Sequence, residues 1–443
     1  MKLTLFTKVC LSAVLVDITT LAHPGGSMKK ILEDIQIQAR QANPALSSTE
    51  VLGDLATLQD SELSAVGKDI KATILGKADG ESLTTYENVP KLGTDACAKD
   101  TCVWNHTACI WQYIANEMVS SFKGPSGRCT NAARAAVRLG FHDAAGWSKN
   151  TGTTGGADGS IILAPEEIKR ADNKGLEEIV ALTKTWYNKY KGYGVSAADM
   201  IQMGANVATV VCPLGPRTKT YVGRKDNSNA CPSGLLPSVT DSADKIIKLF
   251  QDKTIQPNGL TALLGAHSTS QQRFVDPSRS GDPQDSTPGV WDMAYYTELL
   301  DPNSPKRVFK FASDLKLAAD SRIKGLFTAF AAKDNAAQVP WNRLYAQEYV
   351  RLSLLGVYNI NNLTDCTKVL PQPVKTFVPQ DKCRVDQWMT STKNVPEIST
   401  ALLDAKLITS IPNLVSLLTG ILGGVVSTVL GFFGLGQSKL PAC

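Results

Sequence analysis

The stretch 131-NAARAAVRLGFHD-143 decides the fold class, because it is an alanine-rich helical pattern that carries an arginine and a histidine. Arg138 and His142 are four residues apart, so on a helix they lie on one face about one turn from each other. A plain interpretation is a surface arginine beside a histidine that caps the core. A chemical interpretation is a neutral imidazole that accepts a proton beside a fixed positive charge, as heterolysis of a peroxide O–O bond requires.

Two oxygen-rich turns lie near the two conspicuous histidines. The first turn, 155-GGADGSI-161, follows His142 and Asp143. The second turn, 285-DSTPGVWD-292, follows His267, which ends the apolar run in 259-GLTALLGAHSTS-270. Carboxylates, hydroxyls and backbone carbonyls are the ligands that Ca²⁺ takes, so each turn is a candidate calcium loop. The alternative for the first turn is a plain Asx-capped turn.

Helical periodicity dominates the middle of the chain, and strand-like alternation is scarce, so the sequence predicts a mainly α fold. Helix patterns occur at 110-IWQYIANEMVSSF-122, 175-GLEEIVALTKTWYNKY-190, 196-SAADMIQMGANVATVV-211, 240-TDSADKIIKLFQD-252 and 343-RLYAQEYVRLSLLG-356. Ser196 and Thr240 are the expected residues at the starts of two of these helices.

The composition points to secretion. A net charge of +5 over 443 residues with dispersed Lys and Arg gives no case for nucleic acid. Residues 1–22 resemble a secretory signal, although a buried strand or helix start is the alternative. Ten cysteines favour an oxidising compartment, and 105-NHT and 362-NLT are glycosylation sequons. Loss of Cys10 with the signal leaves an odd number, so one thiol is free, pairs between chains or is removed.

The remaining divisions are an N-terminal leader or extension at 23–95, a globular domain at 96–357, an extended proline-rich strap at 358–413 and an apolar segment at 414–443. The uncharged run 414–436 exceeds the roughly 20 residues that span a bilayer. It is interpreted as a membrane-associating tail, a removable anchor signal, or a helix that packs on the domain or on another copy. The following 437-QSKLPAC-443 argues against an anchor signal.

Residues 97–370 resemble the plant–fungal–bacterial haem peroxidase superfamily, and within it the secreted fungal class II branch. The motifs that carry the resemblance, in order, are 138-RLGFHD-143, 155-GGADGSI-161, 212-CPLGP-216, 223-GRKD-226, 234-GLLP-237, 264-LGAHS-268, 285-DSTPG-289, 313-SD-314 and 363-LTDC-366. The resemblance implies a disulfide-bonded α fold whose two helical halves enclose haem b between them, together with two Ca²⁺ ions.

The resemblance also implies residue roles. His142 would be the distal base and Arg138 the group that stabilises developing negative charge, with Phe141 packed in the distal pocket. His267 would be the axial iron ligand. Asp314 would accept the other ring N–H of His267, and Asn173 would orient His142 with Glu167 behind it.

The implied calcium ligands and disulfides follow the same motifs. The distal set is Asp143, Gly156, Asp158 and Ser160, and the proximal set is Ser268, Asp285, Thr287, Val290 (by its carbonyl) and Asp292. Cys129 would pair with Cys212. Cys366 would pair with one of the N-terminal cysteines, among them Cys109, and Cys97 with another, whereas Cys231 has no counterpart.

Departures from the branch define the expected subtype. Ala262 stands where lignin and versatile peroxidases carry a surface tryptophan, and Asn131, Ala135 and Arg273 stand where manganese peroxidases carry carboxylates. The resemblance therefore implies a secreted peroxidase that uses H₂O₂ to oxidise small phenolic or aromatic donors at the haem edge. The alternatives are a catalytically weak haem-binding or surface-associated protein with the same fold, and an intracellular peroxide scavenger, against which the signal pattern and cysteines argue.

Overall fold

The protein is mainly α-helical, as the sequence predicts. The computed structural model describes residues 44–86, 109–331, 337–391 and 395–409, and these contain fourteen α-helices and one two-stranded antiparallel sheet. The helices are α1 (Ala65–Ile74), α2 (Cys109–Phe122), α3 (Asn131–Ala144), α4 (Ser160–Leu163), α5 (Glu177–Tyr190), α6 (Ala197–Val211), α7 (Ala243–Gln251), α8 (Pro257–Leu264), α9 (Ala294–Leu300), α10 (Ala312–Ala319), α11 (Ser321–Phe330), α12 (Gln338–Leu352), α13 (Lys382–Thr390) and α14 (Pro396–Leu403). The sheet pairs β1 (Tyr221–Val222) with β2 (Thr364–Asp365).

Helix α3 packs closely on α6, and this contact organises the first half of the fold. Thr130 caps α3 by accepting a hydrogen bond from the Ala133 N–H, and alanines supply high helix propensity. Gly140 sits at the crossing, where an added Cβ would come within 2.6 Å of the Ala205 Cβ. Every residue of α6 is buried, so the helix forms the interior wall that supports α3.

The second half of the fold is built around α8, which packs against α11 and α12. Pro257 occupies the first turn of α8, where its missing N–H has no helical partner to lose. The helix ends at Leu264 and passes directly into a 3₁₀ helix, Gly265–Thr269, which carries His267. Because α8 is buried and leads directly into the 3₁₀ helix, it fixes the position of His267 relative to the core.

Three of the five sequence-predicted helix patterns match α2, α5 and α6 closely, with Ser196 capping α6 by accepting from the Asp199 N–H. The pattern 343–356 overlaps α12, but this helix begins and ends earlier, at Gln338–Leu352. The start of α7 differs from the expectation at Thr240. Ser242 is the cap, and its hydroxyl accepts from the Lys245 N–H. Thr240 instead contacts Ser238 in the preceding turn, since two hydroxyl residues compete for one cap.

Residues 44–86, the described part of the predicted N-terminal leader or extension, pack into the main hydrophobic core. Leu52, Leu55 and Ile70 are buried there. The Ser48 hydroxyl donates to Glu348 over 2.9 Å, and Arg351 donates to the Glu50 carbonyl over 2.7 Å. The apolar positions of this segment are irregularly spaced because turns and short 3₁₀ helices, rather than one long helix, bring them inward.

The region 358–409 is held in two different ways. Ile360 and Leu363 belong to the main core, whereas α13 and α14 form a second small core that includes Trp388 and Val308. A buried ion pair between Arg128 and Asp381, 2.6 Å apart, joins this second core to the loop before α3. The strap is thus partly helical rather than wholly extended. The predicted signal at 1–22 and the apolar segment at 414–443 lie outside the described residues.

Candidate active site

Arg138 and His142 form a direct contact on the inner face of α3. The Arg138 Nε lies 3.1 Å from the His142 Nε2. The guanidinium also donates to the Lys174 carbonyl over 2.9 Å and to the Asp172 carbonyl over 3.1 Å. These two backbone carbonyls fix the arginine from outside the helix, so the guanidinium keeps its aim at His142.

Asn173 fixes the other nitrogen of the same ring. Its Oδ1 lies 2.8 Å from the His142 Nδ1, and its Nδ2 donates to the Glu167 carbonyl over 2.8 Å. An arginine N–H can only donate and an amide oxygen can only accept, so Nδ1 carries the proton and Nε2 presents its lone pair. Glu167 thus acts through its main chain, while its carboxylate binds the Cys231 N–H over 2.8 Å.

Burial, and to a smaller extent the charge of Arg138, lower the pKa of His142 to about 3 against the opposing effect of its hydrogen bond to Asn173. The imidazole is therefore neutral across the physiological range. Phe141 lies beside it, with ring centroids 5.6 Å apart, and stacks on Phe250. The side chains brought together here are those of a general base with a cationic neighbour.

His267 and Asp314 form the second contact of the site. The His267 Nδ1 lies 2.8 Å from the Asp314 Oδ2, and Asp314 is buried at the start of α10. Burial lowers the pKa of His267, but the Asp314 charge and hydrogen bond outweigh this and raise it. Phe311 and Tyr295 contact the ring edge-on at 5.7 and 5.6 Å.

Arg138 and His267 interact electrostatically and both reach solvent. The charge of Arg138 lowers the pKa of His267, so the two groups lie within electrostatic reach of each other. Burial dominates the pKa of each, yet Arg138 is exposed and the His267 side chain is 36% exposed. A side chain that is deep within the fold and still touches solvent faces an opening inside it. Arg138 on α3 and His267 just after α8 mark this opening, which is called the cleft below.

The expected distal calcium ligands converge behind His142. The Asp143 Oδ2 accepts from the Gly159 N–H over 3.2 Å, and Asp158 accepts from the Ser160 N–H over 3.0 Å. Oδ1 of Asp143 and Oγ of Ser160 are buried and make no hydrogen bond to any described residue. Burial and the charges of Asp158 and Glu167 raise the pKa of Asp143 well above its usual value. Gly156 adopts a positive φ of 113° in the same turn.

The expected proximal ligands converge beside His267. The Ser268 hydroxyl donates to Asp285 over 2.7 Å and lies 3.2 Å from the Val290 carbonyl. Thr287 contacts Asp292 over 3.1 Å. Burial and the Asp292 charge raise the pKa of Asp285. In the described ranges, no group of three or more Asp, Glu, His or Cys side chains is arranged to hold a metal ion by itself. Each cluster instead combines two carboxylates with hydroxyl and carbonyl oxygens.

A disulfide joins Cys129 to Cys212, and Cys366 and Cys383 are also disulfide-bonded. Cys97 lies outside the described residues, as does the side chain of Cys109. Cys231 is a buried free cysteine, and its thiol donates a hydrogen bond to the Glu167 carboxylate. Ala262 is fully buried and its carbonyl accepts a hydrogen bond from Trp341, so this position, compared above with a surface tryptophan, is internal.

Sequence reasoning missed Tyr295, which is fully buried and donates to the Asp314 Oδ2 over 2.9 Å. It also missed the carbonyls of Asp172 and Lys174 that hold Arg138. Contacts of backbone carbonyls do not depend on residue type, so the sequence does not show them. The pair 295-YY-296 follows the 285–292 turn but belongs to no recognised motif. The only available signal was that a buried tyrosine hydroxyl needs a partner.

Comparison with known proteins gives a consistent result. The peroxidase family matches residues 114–333. The chain is 31% identical over 302 residues to ligninase C of Trametes versicolor, covering 63% of this chain and 79% of that one. It is 30% identical over 302 residues to a peroxidase of Arthromyces ramosus, covering 64% and 81%, and 30% identical over 335 residues to versatile peroxidase VPS1 of Pleurotus eryngii, covering 71% and 86%.

None of the helices in the described ranges combines the length and apolar character needed to cross a membrane.

Proposed function

We propose, from the premise that this chain belongs to the peroxidase family and is a haem peroxidase acting on hydrogen peroxide, that His142 and Arg138 cleave the peroxide bond opposite His267. Bound haem supplies the iron that takes two oxidising equivalents from peroxide and passes them singly to reductants. The contact that carries the proposal is the 3.1 Å approach of the Arg138 Nε to the His142 Nε2.

The donor set fits haem. His267 has its Nδ1 engaged by Asp314, which leaves Nε2 as the available ligand nitrogen, and its side chain is 36% exposed to the cleft. An imidazole backed by a carboxylate is the usual arrangement for a metal-binding histidine, because the carboxylate fixes the ring and makes it more basic. Arg138 and Phe141 border the same cleft from the α3 side.

His142 would act as the proton shuttle. Its Nε2 lone pair accepts from the Arg138 Nε in this structure and would exchange that hydrogen bond for one from peroxide. It would then take a proton from one peroxide oxygen and return it to the other, which leaves as water. The low pKa keeps this nitrogen unprotonated before the reaction, and Asn173 keeps the ring from rotating. Arg138 would stabilise negative charge on the departing oxygen, since its guanidinium is held in place before that charge develops.

Two Ca²⁺ ions would occupy the clusters on either side of the cleft. The buried and unsatisfied Asp143 Oδ1 supports the distal site, because a carboxylate oxygen without a partner has a high cost unless a cation binds it. The buried carboxylate of Asp285 and the nearby carboxylate of Asp292 support the proximal site, because a cation would relieve the repulsion that raises the pKa of Asp285. Each ion would hold the segment that carries one histidine.

The reductants would be small phenolic or other aromatic molecules that reach the cleft edge. Ala262 is buried and offers no surface tryptophan, and the cationic Arg273 would repel Mn²⁺. Secretion is supported by the disulfide-bonded cysteines, since such bonds persist in oxidising compartments.

Stopped-flow absorbance tests the proposal. Haem-loaded protein mixed with one equivalent of H₂O₂ should change its Soret band, and a phenol should then restore the original spectrum in two one-electron steps. A Soret band that does not move in fully haem-loaded protein would overturn the assignment.

A further inference from the structure

Tyr295 is a buried titratable residue that the roles above leave unused, although it contacts both members of the His267–Asp314 pair. Its hydroxyl donates to the Asp314 Oδ2 over 2.9 Å. The same oxygen lies 2.8 Å from the His267 Nδ1. The Tyr295 and His267 rings meet edge-on at 5.6 Å, so the tyrosine is fixed against the histidine by packing as well as by the hydrogen bond.

Two donors therefore share one carboxylate oxygen. Burial and the charge of Asp314 raise the pKa of Tyr295 well above its usual value, so the phenol keeps its proton and remains a donor. The other oxygen, Oδ1, has a separate donor in the Ser313 hydroxyl at 3.2 Å. A hydrogen bond from Tyr295 withdraws negative charge from Oδ2, and less of that charge remains to polarise the His267 N–H.

We propose that Tyr295 is a positioning residue which weakens the hold of Asp314 on the His267 proton and thereby raises the reduction potential of iron bound at His267. A less anionic imidazole donates less electron density and stabilises ferric iron less strongly relative to ferrous iron. This inference rests on the proposed function, in which His267 is the iron ligand. Tyr295 thus shares with the Asp314 carboxylate the control of the reduction potential of iron bound at His267.

Tyr296 provides a matched control. It is adjacent in α9, is equally buried, and donates its hydroxyl to the Thr261 carbonyl over 2.8 Å rather than to Asp314. Replacement of either tyrosine by phenylalanine removes one buried hydroxyl and keeps the ring. Any difference between the two variants therefore reports the partner of the hydroxyl, not its burial.

The test is the ferric–ferrous midpoint potential of the haem-loaded protein, measured for the wild type, Tyr295→Phe and Tyr296→Phe. Tyr295→Phe should shift the one-electron reduction equilibrium about tenfold towards ferric iron. This corresponds to a midpoint potential lower by about 59 mV. The iron–histidine stretching band of the ferrous protein should move to higher frequency. Tyr296→Phe should change neither. Equal potentials for Tyr295→Phe and the wild type, or a rise, would overturn the inference.

Asp314→Asn separates this inference from the proposed function beneath it. That variant should raise the potential, and Tyr295→Phe should add no further shift in its background, because the shared carboxylate is gone. If Asp314→Asn leaves the potential unchanged, the proximal role of the pair is wrong. If Asp314→Asn acts as expected and Tyr295→Phe shifts the potential equally in both backgrounds, only the role of Tyr295 is wrong.

Discussion

The Arg138 Nε lies 3.1 Å from the His142 Nε2, so a cation held by two backbone carbonyls points its hydrogen at the one lone pair of the ring. The charge is therefore already in place, and it adds to burial, the larger cause, in keeping the base neutral. The contact follows from a four-residue spacing on α3, but the aim of the guanidinium depends on the 172–174 loop.

Replacing His142 by alanine should slow the reaction with H₂O₂ by two to four orders of magnitude, roughly the contribution of a positioned general base. Haem content should not change, because His267 is untouched. Stopped-flow measurement of the Soret change gives the rate constant. A decrease of less than tenfold in fully loaded protein would contradict the assigned base.

Replacing Asn173 by leucine should slow the same step by about 10- to 100-fold, since it removes the acceptor that fixes the His142 tautomer. Asn206 offers a control of the same type: it is buried and donates to the Thr220 hydroxyl rather than to the site. Asn206→Ala should lower the unfolding temperature but leave the rate constant near that of the wild type. Equal slowing by both variants would mean that Asn173 acts only through stability.

Removal of calcium by a chelator should lower the unfolding temperature and slow the peroxide reaction. A ligand at 100 times its Kd stabilises a fold by about 2.7 kcal/mol per site. Added Ca²⁺ should restore both properties and Mg²⁺ should not, because Mg²⁺ demands a smaller and more regular oxygen cage. Asp143→Ala and Asp285→Ala should each reduce the bound calcium by one ion, as measured by atomic absorption. Retention of both ions in either variant would exclude that carboxylate as a ligand.

Replacing Asp381 by alanine should destabilise the fold by about 3 to 5 kcal/mol, because it leaves the buried Arg128 without its counter-ion. Denaturant unfolding measures the change. The double variant Arg128→Met with Asp381→Leu should recover most of the loss, since it removes the uncompensated charge. No recovery would mean that the hydrogen bond from Ile408 to Asp381 dominates instead.

Glu81 should make stability depend on pH. Burial and the Asp79 charge raise its pKa from 4.5 to about 7 in the folded protein. The folded state thus binds this proton more tightly than the unfolded state, and the resulting stability is complete below pH 4.5 and lost as pH rises through 7. Unfolding of the wild type and Glu81→Gln at several pH values checks this: the variant should show a smaller loss between pH 5 and 7, and identical pH profiles would refute the shift.

The local geometry of the candidate site was predictable where its residues stand in short motifs. The spacing of Arg138 and His142 places them on one face of any helix. Ser196, a typical N-cap residue, correctly predicts the start of α6. Thr240 was misassigned as a cap because local sequence does not distinguish between neighbouring hydroxyl residues. The packing of residues 44–86 was not predictable from local sequence, because contacts such as that of Ser48 with Glu348 join residues far apart in the chain.

The sequence by itself therefore determined the helical class, the pairing of a base with a cation and the two oxygen-rich turns, since each depends on residues close together along the chain. The tertiary structure alone decided what lies between those motifs. It brought Asp314 to His267 across 47 positions and added Tyr295 to the same oxygen, and it set the Asp172 and Lys174 carbonyls on Arg138. Such contacts depend on how buried helices pack, and no local pattern encodes the partner of a hydroxyl or a backbone carbonyl.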